Sequence, residues 1–358
     1  MTRARVRDLG IRIGKLPTGR YNAITDVPGV KVGHTTVIYD RPRVARTGVT
    51  VIAPRRGTIR EDCVFAASHS FNGNGEMTGL LWVEESGLLT SPIGLTNTNQ
   101  VGVVRDALVE YTIVKHRGKG FCLPVVGETW DGVLNNIDAF SVTKHHVFDA
   151  MRNASSGPVP EGCVGGGTGM ICHDFKAGIG TSSRVVQNKS GRFTVGVLVQ
   201  ANYGDRGQLR VDGVPVGREL SLKDVPTPRK RGWPEGSIIV IIATDAPLLP
   251  NQCKRLAQRA TVGLSRAGGV GHNSSGDIFL AFSMGNHVYQ EVKKPLSVNM
   301  LPHYQMDVLF EAVADGTEEA ILNSLTAAET MVGYKGRTAH AMPLDGLQKI
   351  MADYGWHK

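Results

Sequence analysis

The stretch Gly236-Ser237-Ile238-Ile239-Val240-Ile241-Ile242-Ala243 limits this chain more than any other. From Ile238 to Ala243 every residue is apolar, and all but the last are β-branched. A run without polar/apolar alternation reads as a strand buried on both faces. A glycine precedes it, which allows backbone geometry that a Cβ would forbid. A hydroxyl then occupies the first strand position. Ser237 is therefore a candidate nucleophile, and the rest of the chain is read for what such a serine needs.

At 358 residues the chain is long enough for two domains or one large α/β domain. The formal charge of +8 is basic, but aromatics make up only 6%. Lys and Arg are dispersed apart from Arg229-Lys230-Arg231, so a solvated basic surface explains the charge better than nucleic-acid binding. The five cysteines (63, 122, 163, 172 and 253) are odd in number and form no CxxC. Neither a disulfide framework nor a zinc ribbon is suggested, and Cys163 with Cys172-His173 is a poor metal pattern. The N-terminus lacks the apolar core of a signal peptide, and no run is long enough to span a bilayer. The expectation is a cytoplasmic protein.

Short β-like runs and turns fill residues 11 to 55. Phe71 to Glu76 is a glycine-rich loop, and Thr96-Asn97-Thr98-Asn99 offers helix N-cap side chains. A helix is expected from Val101 to His116, with Val101, Val104, Leu108, Tyr111 and Ile113 or Val114 as its buried stripe. A second is expected from Val142 to Asn153. Gly162 to Gly169 holds five glycines, a sign of close backbone packing near a pocket. It lacks the G-K-[ST] ending of a phosphate loop. Phe193 to Ala201 reads as a strand, and 211–235 is the most linker-like segment. After the Ser237 strand, Pro247 and Pro250 open a helix with Cys253, Leu256, Ala257, Ala260, Leu264 and Ala267 on one face. Asn273-Ser274-Ser275-Gly276-Asp277 leads into a strand from Ile278 to Ser283. Helices are expected over 305–314, 318–331 and 344–354, with Thr317 capping the second. Mixed strands and helices on both sides of the central strand suggest a layered α/β sandwich.

Ser237 sits in no G-x-S-x-G elbow, and the histidines are scattered, so no Ser-His-Asp triad is visible. One base needs no histidine: the α-amine that Ser237 would carry if the Gly236–Ser237 bond were cut. An α-amino group has a pKa of roughly 7.7 to 8.0, and it lies on the same residue as the hydroxyl. The plainer alternative is a serine that merely begins a strand. Asn202, before Tyr203-Gly204, is equally readable as a turn residue. Glu128 could be a loop acid, and Ser275 and Asp277 could cap a turn.

Taken together and in order, several segments resemble the L-aminopeptidase D-Ala-esterase/amidases and the related β-aminopeptidases, over nearly the whole chain. They are Ile24 to His34, Thr96-Asn97-Thr98, Val125 to Gly132, Gly165 to Met170, Ala201 to Gly204, Gly236-Ser237 and Asn273 to Asp277. The resemblance implies a four-layer α/β/β/α sandwich shared with the ornithine acetyltransferases. It also implies a precursor that cuts itself into an α chain, residues 1–236, and a β chain, residues 237–358. Ser237 would be the N-terminal nucleophile and Asn202 the donor to the oxyanion. Ser275 and Asp277 would orient the new amine, Glu128 would bind the substrate ammonium, and Trp130 would wall the pocket. Trp130 and Asp277 stand where the family often has tyrosine and glutamate.

The implied substrates are small peptides, amides or esters with a free amino terminus, processed by a homo-oligomer, a tetramer of α/β pairs. This chemistry calls for no metal or cofactor. Two alternatives stay open on the sequence: an acyltransferase on the same scaffold, where threonine is usual at the cut, and a non-catalytic small-molecule binding protein.

Overall fold

The computed structural model describes residues 3–55, 59, 61–115, 121–230, 236–290 and 292–356. The principal strands in chain order are β1 (Lys31–Tyr39), β2 (Ala45–Ala53), β3 (Asp62–Gly73), β4 (Leu88–Leu89), β5 (Ile93–Asn97) and β6 (Val125–Thr129). They continue with β7 (Ile171–Cys172), β8 (Phe175–Lys176), β9 (Ile179–Asn188), β10 (Gly191–Asn202), β11 (Ser237–Thr244) and β12 (Gly276–Tyr289). The helices are α1 (Leu80–Ser86), α2 (Val101–Lys115), α3 (Lys144–Asn153), α4 (Val216–Glu219), α5 (Pro250–Arg266), α6 (Asp307–Thr326) and α7 (Leu344–Asp353).

Four strands form one sheet in the order β1-β2-β5-β6, and six form the other in the order β4-β3-β12-β11-β10-β9. β11 lies inside the larger sheet and is buried at every position, as its unbroken apolar run requires. Ile239, Ile241 and Leu198 of the larger sheet meet Ile52, Ile93, Leu95 and Val125 of the smaller one in a shared apolar layer. On the outer face of the larger sheet, Val197, Val240 and Phe279 pack with Leu256, Ala260, Val313 and Ile321 of α5 and α6. On the outer face of the smaller sheet, Val49, Val51 and Val126 pack with Val104, Leu108, Val147 and Ala150 of α2 and α3. The expected α/β/β/α layering is therefore present, because each sheet is apolar on both faces and needs two covers.

Strand direction gathers several chain segments at one end of the sandwich. β11 and β12 run parallel, with Ile238 opposite Asp277, so their first residues are neighbours. Parallel neighbours need a crossover, which α5 supplies. β10 runs antiparallel to β11, which sets its last residue, Asn202, opposite Ser237. β3 runs antiparallel to β12 with Gly73 opposite Gly276, so the 74–76 loop emerges at the same end.

Some expectations give way to packing. The helices expected over 305–314 and 318–331 are one continuous helix, α6, and Thr317 is buried inside it rather than capping it. Gly316 lies against Ser182 and Val197 of the larger sheet, so burial outweighs its poor helix propensity. In α2, Val114 is exposed and Tyr111 only half-buried; His116 lies outside the described residues. The supposed linker is packed, with Val211, Val214, Val216, Leu220 and Val225 buried, although 231–235 lie outside the described residues. The predicted apolar face of α5 is buried throughout. The glycines at 165–167 do allow close approach: a Cβ on Gly166 would come within 2.2 Å of Gln200 Oε1. They pack behind the cavity described below rather than lining it.

Candidate active site

Ser237 begins β11 and is buried, with 6% of its surface exposed. Its Oγ accepts a hydrogen bond from the Gly276 N–H at 3.0 Å, so the neighbouring strand fixes the hydroxyl. Gly236 has φ +79, and a Cβ there would lie 1.9 Å from the Asn202 carbonyl oxygen and 2.7 Å from its Nδ2. Only glycine fits, and the residue before the serine is thereby held against Asn202.

Two backbone contacts orient the Asn202 side chain. Its Oδ1 accepts from Ile171 N at 2.9 Å, and its Nδ2 donates to the Trp130 carbonyl at 2.9 Å. The second N–H of that amide has no partner among the described residues. On the other side, Ser275 Oγ donates to Asp277 Oδ1 at 2.6 Å. Burial pushes the Asp277 carboxyl up to about 6, against the opposing influence of the Ser275 and Ile238 donors. Asp277 lies in β12 itself, one residue into the strand, rather than in the turn before it.

The raised Asp277 pKa has a measurable consequence. The native state holds this proton more tightly than the unfolded chain does. The group's favourable contribution is thus complete below the unfolded value of 3.8 and is lost as pH rises through about 6. In uncut chain carrying Ser237→Ala, adding Asp277→Asn should raise stability at pH 8 by about 1–3 kcal/mol. At pH 4 it should add almost nothing. Urea unfolding at the two pH values checks this, and an equal effect at both would reject the assignment.

Ser237 opens onto a cavity of 410 Å³ lined by Asn74, Gly75, Glu76, Thr98, Glu128, Trp130, Gly236 and Ser274. Glu128 is buried; its Oε1 accepts from the Glu76 N–H at 2.9 Å and its Oε2 from the Thr98 hydroxyl. Burial raises its pKa, opposed by those two donors, and Glu76 raises it further. No cationic side chain pairs with Glu128 among the described residues, and the described lining holds two carboxylates and no base. Trp130 packs its ring over Gly132 and forms part of the wall.

The structure thus brings together every residue singled out at this end of the sandwich: Ser237, Asn202, Ser275, Asp277, Glu128 and Trp130. Sequence reasoning missed Asn74, Gly75 and Glu76, which it left as a loop, and Thr98, which it read as a helix cap. The signal available was a carboxylate directly after the glycine-rich turn. Cys172-His173 is buried, and no metal-binding group of three ligands occurs among the described residues. His145 is exposed on α3. No described helix is long and apolar enough to cross a membrane.

Comparison with known proteins agrees with this arrangement. A family model described as peptidase family S58 matches residues 22–339. The β-peptidyl aminopeptidase BapA of Sphingosinicella microcystinivorans is 46% identical over 98% of this chain and 92% of its own. A β-aminopeptidase structure from a Burkholderia species is 50% identical, with a TM-score of 0.93 over 99% of this chain and all of that one. The L-aminopeptidase D-Ala-esterase/amidase of Ochrobactrum anthropi, described as a prototype for the serine aminopeptidases and a variant of the Ntn hydrolase fold, is 43% identical. Its TM-score is 0.92 over 98% of this chain and 99% of that one. These relatives bear out the resemblance read from the motifs and favour a hydrolase over an acyltransferase or a binding protein. The chain belongs to peptidase family S58 and is a serine-type aminopeptidase with the N-terminal-nucleophile hydrolase fold.

Proposed function

We propose that Ser237 becomes the nucleophile when the chain cuts the Gly236–Ser237 bond, leaving an α chain of residues 1–236 and a β chain of residues 237–358. The observation that carries this reading is the seating of Ser237 Oγ beside Asn202, Gly276 N–H and the Ser275–Asp277 pair, at the mouth of an acidic cavity.

Before the cut, Ser237 Oγ attacks the Gly236 carbonyl carbon and its proton passes to the departing Ser237 nitrogen. Water then hydrolyses the resulting ester, leaving a carboxylate on Gly236 and an amine on Ser237. In the mature enzyme that amine accepts the Oγ proton as the hydroxyl attacks a substrate acyl carbon. Asn202 Nδ2 stabilises the oxyanion. The protonated amine returns its proton to the leaving group, and water releases the acyl product. Ser275 and Asp277 hold the amine in place.

Glu128 is the site for the substrate ammonium: a buried carboxylate without a cation gains most from one. This selects peptides, amides and esters with a free amino terminus. The relatives named for β-peptides extend the reading to β-aminoacyl groups. A panel of L-, D- and β-aminoacyl p-nitroanilides tests it. Turnover of β-aminoacyl members by cleaved protein is the expected result, and no turnover of any member would refute it. On the best substrate, Glu128→Gln should raise KM roughly 10- to 100-fold with a smaller change in kcat. An unchanged KM would remove Glu128 from substrate binding. Assembly as a tetramer of α/β pairs is part of the same proposal. It is supported by the exposed Val292, Leu296, Val298 and Met300, and light scattering would measure it.

A further inference from the structure

The segment before the scissile bond is tied down at points that have no contact with the catalytic cavity. β7 and β8 form a two-residue hairpin whose turn residues, His173 and Asp174, have φ of 47° and 60°. Such a turn needs left-handed backbone at both positions, which histidine adopts only at a cost. Backbone strain of this kind persists only where the surrounding structure holds it.

The turn presents Asp174 to the upstream segment. Asp174 Oδ2 accepts from Arg206 N at 3.0 Å, and Oδ1 accepts from the Thr227 hydroxyl at 2.9 Å. The Arg206 guanidinium lies 3.4 Å from the centre of the Phe175 ring. It donates to the hairpin carbonyls of His173 (3.0 Å) and Asp174 (2.8 Å). It also donates to the carbonyls of Leu220 (3.0 Å), Ser221 (3.3 Å) and Val225 (3.0 Å) in the upstream segment. One buried cation therefore joins the two. Further along, Arg229 Nη2 donates to the Ile171 carbonyl at 2.8 Å. The N–H of that same Ile171 is the donor to Asn202 Oδ1. Arg229 thus takes the carbonyl of Ile171 while Asn202 takes its N–H, so removing the guanidinium leaves the Asn202 bond in place.

None of Asp174, Arg206, Thr227 and Arg229 lines the cavity onto which Ser237 opens. We propose that the 171–176 hairpin is a holder for the uncut chain, and that Thr227 and Arg229 are positioning residues for self-cleavage with no part in turnover. Gly236 is held by Asn202, and Leu220, Val225, Thr227 and Arg229 upstream of it are held by the hairpin and Arg206. Together these favour a near-attack geometry of Ser237 Oγ on the Gly236 carbonyl. Once the bond is cut, substrate replaces Gly236, and the holder has no further task.

This inference rests on the reading of Ser237 as a self-generated nucleophile. Thr227→Val, Arg229→Ala and the double variant test it in full-length protein. The chain beginning at Ser237 is followed by intact mass from a synthesis pulse onward, and turnover is expressed per cleaved chain. In the double variant cleavage should slow on the order of tenfold, with kcat and KM per cleaved chain unchanged. Arg229→Lys should recover part of the rate. An unaltered cleavage rate in the double variant overturns the inference. So does an equal fall in cleavage rate and per-chain turnover, which marks a merely structural role. If the wild-type chain never cuts, the functional reading fails and takes this inference with it; if it cuts and the variants match it, only the inference fails.

Discussion

Ser237→Ala should remain one polypeptide of full length and lose turnover by on the order of 10⁴-fold or more. Wild-type protein should instead give two chains, the second beginning Ser-Ile-Ile-Val. The effect is large because one atom serves twice. In the proposed mechanism Ser237 Oγ makes the new amine by attacking the Gly236 carbonyl, and it then attacks each substrate with that amine as its base. Alanine removes both steps while leaving the buried strand β11 almost untouched, since Ile238 to Ala243 are apolar and Thr244 lies at the far end. Ser237→Cys separates the steps: a thiol can still attack, so partial cutting with poor turnover is expected. Intact mass, N-terminal sequencing and the p-nitroanilide assay read these outcomes together. Active wild-type protein that remains a single uncut chain would end the N-terminal-nucleophile account.

The parts of the site that were legible in the sequence are those whose chemistry and local structure coincide. Ser237 stands out because a hydroxyl opens a strand with no alternation. The α5 face could be read because its apolar spacing is helical and the sheet buries it. Asn202, Ser275, Asp277, Glu128 and Trp130 were each ambiguous alone, and the resemblance carried by the ordered set of motifs supplied the roles proposed for them.

The residues that were missed depend on pairing across the fold. Glu76 and Asn74 reach the cavity only because Gly73 pairs with Gly276, a register that no local pattern encodes. Thr98 has the composition of a helix cap, yet its hydroxyl goes to Glu128. The polar, proline-bearing segment before Gly236 looked loose because its restraints are bonds that the Arg206 guanidinium, outside the segment, donates to its carbonyls. Composition reports neither. In α6, a glycine and a threonine suggested a break, but tertiary burial outweighed their propensity.

Asn202→Ala is expected to lower kcat about 10²- to 10³-fold with little change in KM, a loss of roughly 3–4 kcal/mol of transition-state stabilisation. Self-cleavage should slow by a comparable factor, because the proposed mechanism forms both oxyanions beside Asn202. The geometry behind this is the contact of Gly236 with Asn202 Nδ2 and the opposed positions of Asn202 and Ser237 across two paired strands. The substitution also strands the Ile171 N–H, worth about 1–3 kcal/mol when buried and unpaired. Part of any loss could therefore be structural, and Asn202→Asp distinguishes the two. Aspartate still accepts from Ile171 N but has no N–H to offer an oxyanion, and its negative charge repels one. If oxyanion donation is what matters, Asn202→Asp should be at least as slow as Asn202→Ala. If orientation of the 171 segment is what matters, Asn202→Asp should recover most of the rate, and the donor role would pass from Asn202 to another group.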